Sequence, residues 1–288
     1  MRHSPATRGL WKAVGAVALW ASLAPLGVAL SHVPPFLLTG LALLAGGIVA
    51  LPFNGLRPAA WRVSWPLLAL GVYGLFGFHF LLFISLRLAP PVEANLVNYL
   101  WPLGIVVMAP VFLKGTRWRW RFALAALIGF MGAATAILSG GVNTDTTHDQ
   151  AWLGYGLALG SAWIWSSYSL LTKRAGHLHV GAIGTFCLVS GFLALLAHGM
   201  LENPVHLQMT DITLIALLGL GPLGGAFYLW HIALQNADAR RVGLIAFATP
   251  VLSTVALLVQ NQDALRPAIG IATALVVLAA WLGSSAQE

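Results

Sequence analysis

Long apolar runs alternate with short polar breaks from one end of the chain to the other. Ten runs stand out, at residues 10–30, 35–52, 65–86, 91–113, 120–138, 151–172, 181–200, 211–234, 241–260 and 267–284. Each is close to the roughly 20 residues that a helix needs to cross hydrocarbon. The breaks carry turn chemistry, as at Pro34-Pro35, Asn54-Gly55, Pro90-Pro91, Ser139-Gly140-Gly141 and Asn203-Pro204. The pattern predicts an all-α polytopic membrane protein with ten transmembrane helices. The first run follows Arg2, Arg8 and Lys12, as a secretory leader would. It is read as a spanning helix, because it is of full bilayer length and has a counterpart later in the chain.

Charge tests this division independently. With the amino end inside, the inner segments hold Arg2, Arg8, Lys12, Arg57, Arg62, Lys114, Arg117, Arg119, Arg121, Lys173, Arg174, Arg240 and Arg241. Only Arg87 and Arg266 fall outside. Cytoplasmic loops collect Lys and Arg, so the expectation is a bacterial inner-membrane protein with both termini cytoplasmic. Trp61, Trp65, Trp118, Trp120 and Trp152 fall at predicted boundaries, as an interfacial belt.

Composition agrees. Of 288 residues, 59% are apolar and 8% charged, against roughly 25% charged in soluble domains. The formal net charge of +7 is a cytoplasmic-loop signal, not a nucleic-acid footprint. The one cysteine, Cys187, lies in an apolar run and can form no internal disulfide. No Walker loop, GxSxG, HExxH or intramembrane carboxylate pair is present. Neither a cofactor nor a metal is expected. Asp145, His148 and Asp149 are read as a solvated outer loop. A membrane-embedded lipid enzyme, the rival class, would need clustered acids, histidines or a nucleophile at one interface.

The two halves echo each other. Gly15, Trp20 and Ser22 match Gly160, Trp165 and Ser167 at an offset of 145. Leu81, Ile84, Leu86, Ala89, Leu96 and Pro102 match Leu229, Ile232, Leu234, Ala237, Leu244 and Pro250 at an offset of 148. Two repeats are therefore expected, at 1–140 and 151–288. Each holds five helices, and because five is odd the second enters the membrane the other way up. Inverted repeats of this kind are a transporter architecture with its site at the midplane.

Mid-membrane polar and aromatic groups are the site candidates. Indoles favour interfaces, so Trp101 and Trp163, with Tyr99 and Asn98, are expected to bind substrate. His79 joins them, since ionisable residues inside a membrane are functional candidates. Gly156, Gly160, Trp163 and Ser167 share one helical face. That small and polar stripe is expected to face the cavity, leaving Trp165 to packing. Pro102 and Pro250 remove N–H groups that the Asn98 and Ala246 carbonyls would otherwise accept from, and are expected to act as hinges. Glu93 is expected near the outer end of helix 4, within reach of Arg87. No mid-membrane acid suits proton-for-cation antiport. Facilitated diffusion or exchange is favoured, with proton coupling through His79 or Glu93 the alternative.

With this repeat, the chain resembles the drug/metabolite transporter superfamily in its ten-helix EamA-type form. The segment Asn98-Tyr99-Leu100-Trp101-Pro102 is similar to that of YddG-type aromatic amino-acid exporters. The resemblance implies a basket of helices around a central cavity, braced by helices 5 and 10. It also implies export of aromatic and other neutral amino acids. The expected partners are a small-molecule substrate and the lipid bilayer, with a monomer compatible with the pattern. Nucleotide sugars, cationic drugs and other metabolites travel through the same architecture.

Overall fold

The computed structural model describes residues 4–139, 150–176, 178–260, 262 and 267–285. The Asp145, His148 and Asp149 loop, Arg2 and Arg266 lie outside these residues. The described chain is helical, with no strand. Its spans are α1 Pro5–Ala29, α2 Pro35–Asn54, α3 Trp65–Leu88, α4 Pro91–Phe112, α5 Trp120–Leu138, α6 Ala151–Arg174, α7 Ala182–Leu201, α8 Met209–Asn236, α9 Ala239–Gln260 and α10 Pro267–Ser285. Nine are long and apolar enough to cross a membrane. The other, α6, is long enough but carries Ser161, Ser166, Ser167, Ser169 and Thr172, all buried against neighbouring helices. The first span begins earlier than its apolar run predicts. Ser4 caps it, accepting from the Thr7 N–H at 3.2 Å, and Pro5 occupies the first helical position.

Call the end of the bundle where α1 starts and α10 finishes the near end, and the opposite one the far end. Arg87 stands at the far end; the other described Lys and Arg residues lie toward the near end.

The halves correspond in their irregularities as well as their helices. A π-helical stretch interrupts α3 at Tyr73–Gly77 and α8 at Gly221–Gly225, 148 residues apart. Both α4 and α9 are broken in two, into Pro91–Asn98 and Trp101–Phe112, and into Ala239–Ala246 and Ala248–Gln260. The two prolines fall in the first turn of the second piece, where a missing N–H costs little.

Packing follows the same symmetry. Each helix of the pairs α2 with α7 and α5 with α10 packs along its own repeat counterpart. A methyl built on Gly9 of α1 would lie 3.0 Å from Ala237 Cβ, and one on Gly154 of α6 would lie 2.5 Å from Ala89 Cβ. Likewise Gly15 would meet Leu229 Cδ1 at 3.1 Å, and Gly160 would meet Leu81 Cδ1 at 3.1 Å. These are two pairs of repeat-related contacts, so the matched residues are the ones that join the halves. Without a hydrophobic force between helices in lipid, such close small-residue packing is what holds them together.

Candidate functional site

Between the two halves lies a cavity of about 660 Å³, within the usual range of small-molecule sites. Its floor is aromatic and sits at mid-bundle. Trp20 touches Trp101, Trp165, Phe227 and Trp230 edge-on or tilted, at ring separations of 5.1 to 6.3 Å. Phe78 lies 5.3 Å from Trp165. The walls rise along the far halves of the spans to Gly27, Leu86, Ser139 and Leu258. Among the described residues the cavity opens toward the far end.

Two repeat-related pairs straddle the floor. Trp20 and Trp165 meet at 5.9 Å, and His79 meets its counterpart Phe227 at 6.4 Å. The pseudo-twofold axis therefore passes through the cavity, where one half's contribution faces the other's.

The polar groups are few. His79 Nδ1 lies 2.6 Å from the Leu75 carbonyl, inside the π-helical stretch of α3. A carbonyl only accepts, so Nδ1 carries the proton and Nε2 is left as an acceptor in the neutral ring. The Asn98 amide lies 2.8 Å from Ser161 Oγ, whose one proton is shared between Asn98 Oδ1 and the Ala158 carbonyl, also at 2.8 Å. Among the described residues the Tyr99 hydroxyl and the indole N–H groups of Trp101 and Trp165 have no hydrogen-bond partner. Thr249 Oγ1 is buried without a partner, and its residue lines the cavity. Trp20 and Trp230 are satisfied, donating to the Pro222 carbonyl and to Ser169 Oγ, each at 3.1 Å. Buried donors and acceptors left unmade are costly, so a ligand able to pair with them is held by more than its ring.

Of the residues expected to bind substrate, His79, Asn98, Tyr99 and Trp101 line the cavity, and of the two prolines Pro250 does. Pro102 is buried behind Trp101. Trp163 is a correction: it is 56% exposed on the outside of the bundle, while Trp165 is 3% exposed and lines the cavity. Trp152, Gly156, Leu159 and Trp163 form one outward stripe, and Gly156 has no neighbour within 4 Å. Ser167 is turned inward, donating to the Trp163 carbonyl at 2.8 Å with the Tyr73 hydroxyl 2.8 Å away. The repeat carried the right signal, since Trp165 is the counterpart of Trp20 and Trp163 that of exposed Ala18. Sequence reasoning also missed Asn95, Phe78, Phe227, Thr249, Ser253 and Thr254, which line the cavity as well.

The expected pairing of Arg87 with Glu93 is a second correction. Glu93 accepts from the Tyr155 hydroxyl at 2.8 Å, and Arg87 pairs with Glu202 at the end of α7.

The near end is closed. The near pieces of α4 and α9 pack on each other. Lys173 Nζ donates to the Leu234 and Ala237 carbonyls at the end of α8, and Gln235 Nε2 donates to the Thr172 carbonyl at 3.1 Å. Arg240 stacks 4.0 Å over the Phe122 ring, donates to the Arg117 carbonyl at 3.1 Å and pairs with Asp238 at 2.6 Å. Burial works against the Asp238 charge, but Arg240, with Lys173 beside it, holds its carboxyl below the ordinary carboxylate pKa. A carboxyl depressed in the folded state stabilises above its unfolded pKa, about 4, and loses that contribution as pH falls through the folded value. Asp238→Asn is thus expected to melt below wild type at pH 7, with the gap closing under acid. Equal melting at pH 7 would count against it.

A match to the EamA-like transporter family covers residues 7–138 and 152–285. The chain is 38% identical over 267 residues to the aromatic amino acid exporter YddG of Ancylobacter novellus, covering 91% of this chain and 92% of that one. Over 171 residues it is 24% identical to the exporter of the same name from Escherichia coli, covering 57% and 56% of the two chains. A solved crystal structure, 36% identical, superposes with a TM-score of 0.90 over 97% of this chain and 96% of its own.

Proposed function

Because the chain belongs to the EamA-like transporter family, we propose that it exports aromatic and related neutral amino acids by alternating access. The observation that carries this reading is the cavity itself: an aromatic floor at mid-bundle beneath a ring of unpaired polar groups. A substrate side chain lies against Trp20, Trp101 and Trp165. Its ammonium and carboxylate meet His79 Nε2, Asn98 and Tyr99. The 38% identical exporter from Ancylobacter novellus supports the same substrate class.

In this reading the near end faces the cytoplasm of a bacterium, both termini with it, since that end collects the basic residues. The described conformation is then open to the outside. Residues 1–140 and 151–288 act as two inverted repeats, and Pro102 and Pro250 mark where α4 and α9 bend. The protein has no catalytic role; it moves solute by facilitated diffusion or exchange. Cationic drugs fit less well, because among the described residues no acidic side chain lines the cavity.

The test is counterflow in proteoliposomes with labelled phenylalanine, tryptophan and a cationic dye. Accumulation of the amino acids without the dye is expected, with no stimulation by an imposed pH gradient. Dye flux without amino-acid flux would overturn the substrate class, and a pH-driven gain would replace exchange by proton coupling.

A further inference from the structure

The two ends of the bundle are built from equivalent parts but now differ in one contact. At the near end, Gly243 of α9 lies against α4: a methyl built there would sit 3.2 Å from the Pro102 carbonyl oxygen and 3.4 Å from Ile105 Cβ. Moving each residue by the repeat offset of 148 gives Asn95 of α4 against Pro250 and Ser253 of α9. Among the described residues, the far pieces of α4 and α9 do not pack together; the cavity mouth separates them, with Asn95, Pro250 and Ser253 on its opposite walls.

We infer that Asn95 is the far-end gate, closing onto the Pro250 carbonyl and Ser253 when the near end opens. This rests on the alternating-access reading above. The contacts that do not change, Gly9 on Ala237 with Gly154 on Ala89, and Gly15 on Leu229 with Gly160 on Leu81, already obey the same offsets in both halves. They fix α1 to α8 and α6 to α3 as the invariant frame. What remains free to exchange is the α4–α9 contact, and the frame's symmetry dictates its alternate form.

The two gates differ chemically. Gly243 makes a close backbone contact with no polar side chain. Asn95 brings an amide, without a side-chain partner among the described residues, toward a carbonyl now accepting from Thr254 Oγ1 at 2.8 Å. A carbonyl has a second lone pair for it. Ser253 Oγ now donates to the Ala21 carbonyl at 3.1 Å, which ties that wall to α1. The far gate is thus a hydrogen-bonded seal and the near gate a packed one.

Paired cysteines in a Cys187→Ala background test this. Ile105→Cys with Gly243→Cys places two Cβ atoms at disulfide distance in the described conformation and is expected to link under mild oxidation. Asn95→Cys with Ser253→Cys is expected to link too, but only through the near-open state, so prior linkage at 105–243 in a four-cysteine protein abolishes it. Asn95→Ala is expected to raise maleimide labelling of Thr254→Cys from the far side about fivefold, the effect of one lost hydrogen bond. Absence of the 95–253 link while 105–243 forms overturns the gate, as does an unchanged labelling rate. Failure of both links overturns the described α4–α9 contact from which the gate is drawn, and the gate with it. Both links forming in a protein that carries no aromatic amino acid leaves the gate standing and removes only the substrate assignment.

Discussion

Trp165→Ala is expected to weaken apparent affinity for tryptophan or phenylalanine about tenfold or more, while Trp163→Ala stays within about twofold of wild type. The two indoles are two residues apart on α6 and were ranked the other way by helical spacing. Trp165 contacts Trp20, Trp101, Phe78 and Phe227 at 5.3 to 6.3 Å, so its loss opens the cavity floor. Such a truncation also costs the fold about 3–5 kcal/mol. Trp165→Phe therefore accompanies it: the bulk is largely kept and the unpaired N–H is lost. An intermediate affinity is expected of that variant, with normal gel-filtration behaviour. The readout is the concentration dependence of counterflow in proteoliposomes. Tighter dependence on Trp163 than on Trp165 would place the substrate outside the described cavity and sink the site as drawn.

The fold was legible because its causes are local. Apolar length, turn residues and the side on which arginines collect are written residue by residue, and nine predicted segments begin and end close to the observed spans. The repeat was legible too, and for a physical reason: Gly15, Leu81 and Ala89 match Gly160, Leu229 and Ala237 because they make the same contact twice. The facing of α6 was not legible from small residues. In water a glycine stripe marks close packing, but in a membrane Gly156 can face lipid, where no Cβ is demanded or refused. Arg87 was matched to the wrong acid because sequence distance stood in for space: Glu93 is six residues away, and Glu202 comes from the other half of the chain. The breaks in α4 and α9 were anticipated at Pro102 and Pro250, but the π-helical stretches in α3 and α8 were not: Tyr73–Gly77 holds no proline, and Pro222 in Gly221–Gly225 was passed over.

Glu202 should prove the most costly single polar residue outside the cavity. Its carboxylate, with only 2% of the side chain exposed, accepts from the Phe36 N–H at 3.0 Å and the Leu37 N–H at 3.2 Å, at the start of α2. His198 Nδ1 lies 2.9 Å away, and Arg87 completes the cage from α3. One carboxylate thus ties α7 to α2 and α3. Opposite charge near a helix N-terminus, where N–H groups lack intrahelical partners, adds to the effect. Glu202→Ala leaves two backbone donors and a guanidinium without their acceptor, at about 2–4 kcal/mol. The half-exposed Arg87 can turn to water, which keeps the cost from rising further. Arg87→Ala should cost less, about 1–2 kcal/mol, because both backbone donors still hold the carboxylate. The repeat supplies an internal comparison: Asn54, 148 residues earlier, caps the opposite end of the same helix pair by donating to the Gly181 carbonyl at 3.1 Å. That bond is single and neutral, and Asn54 Oδ1 is buried with no partner, so Asn54→Ala should cost about 1 kcal/mol or less. Thermal unfolding of the three variants in one detergent ranks them. If Glu202→Ala melted no lower than Asn54→Ala, the carboxylate would be a bystander at a junction held by apolar packing alone.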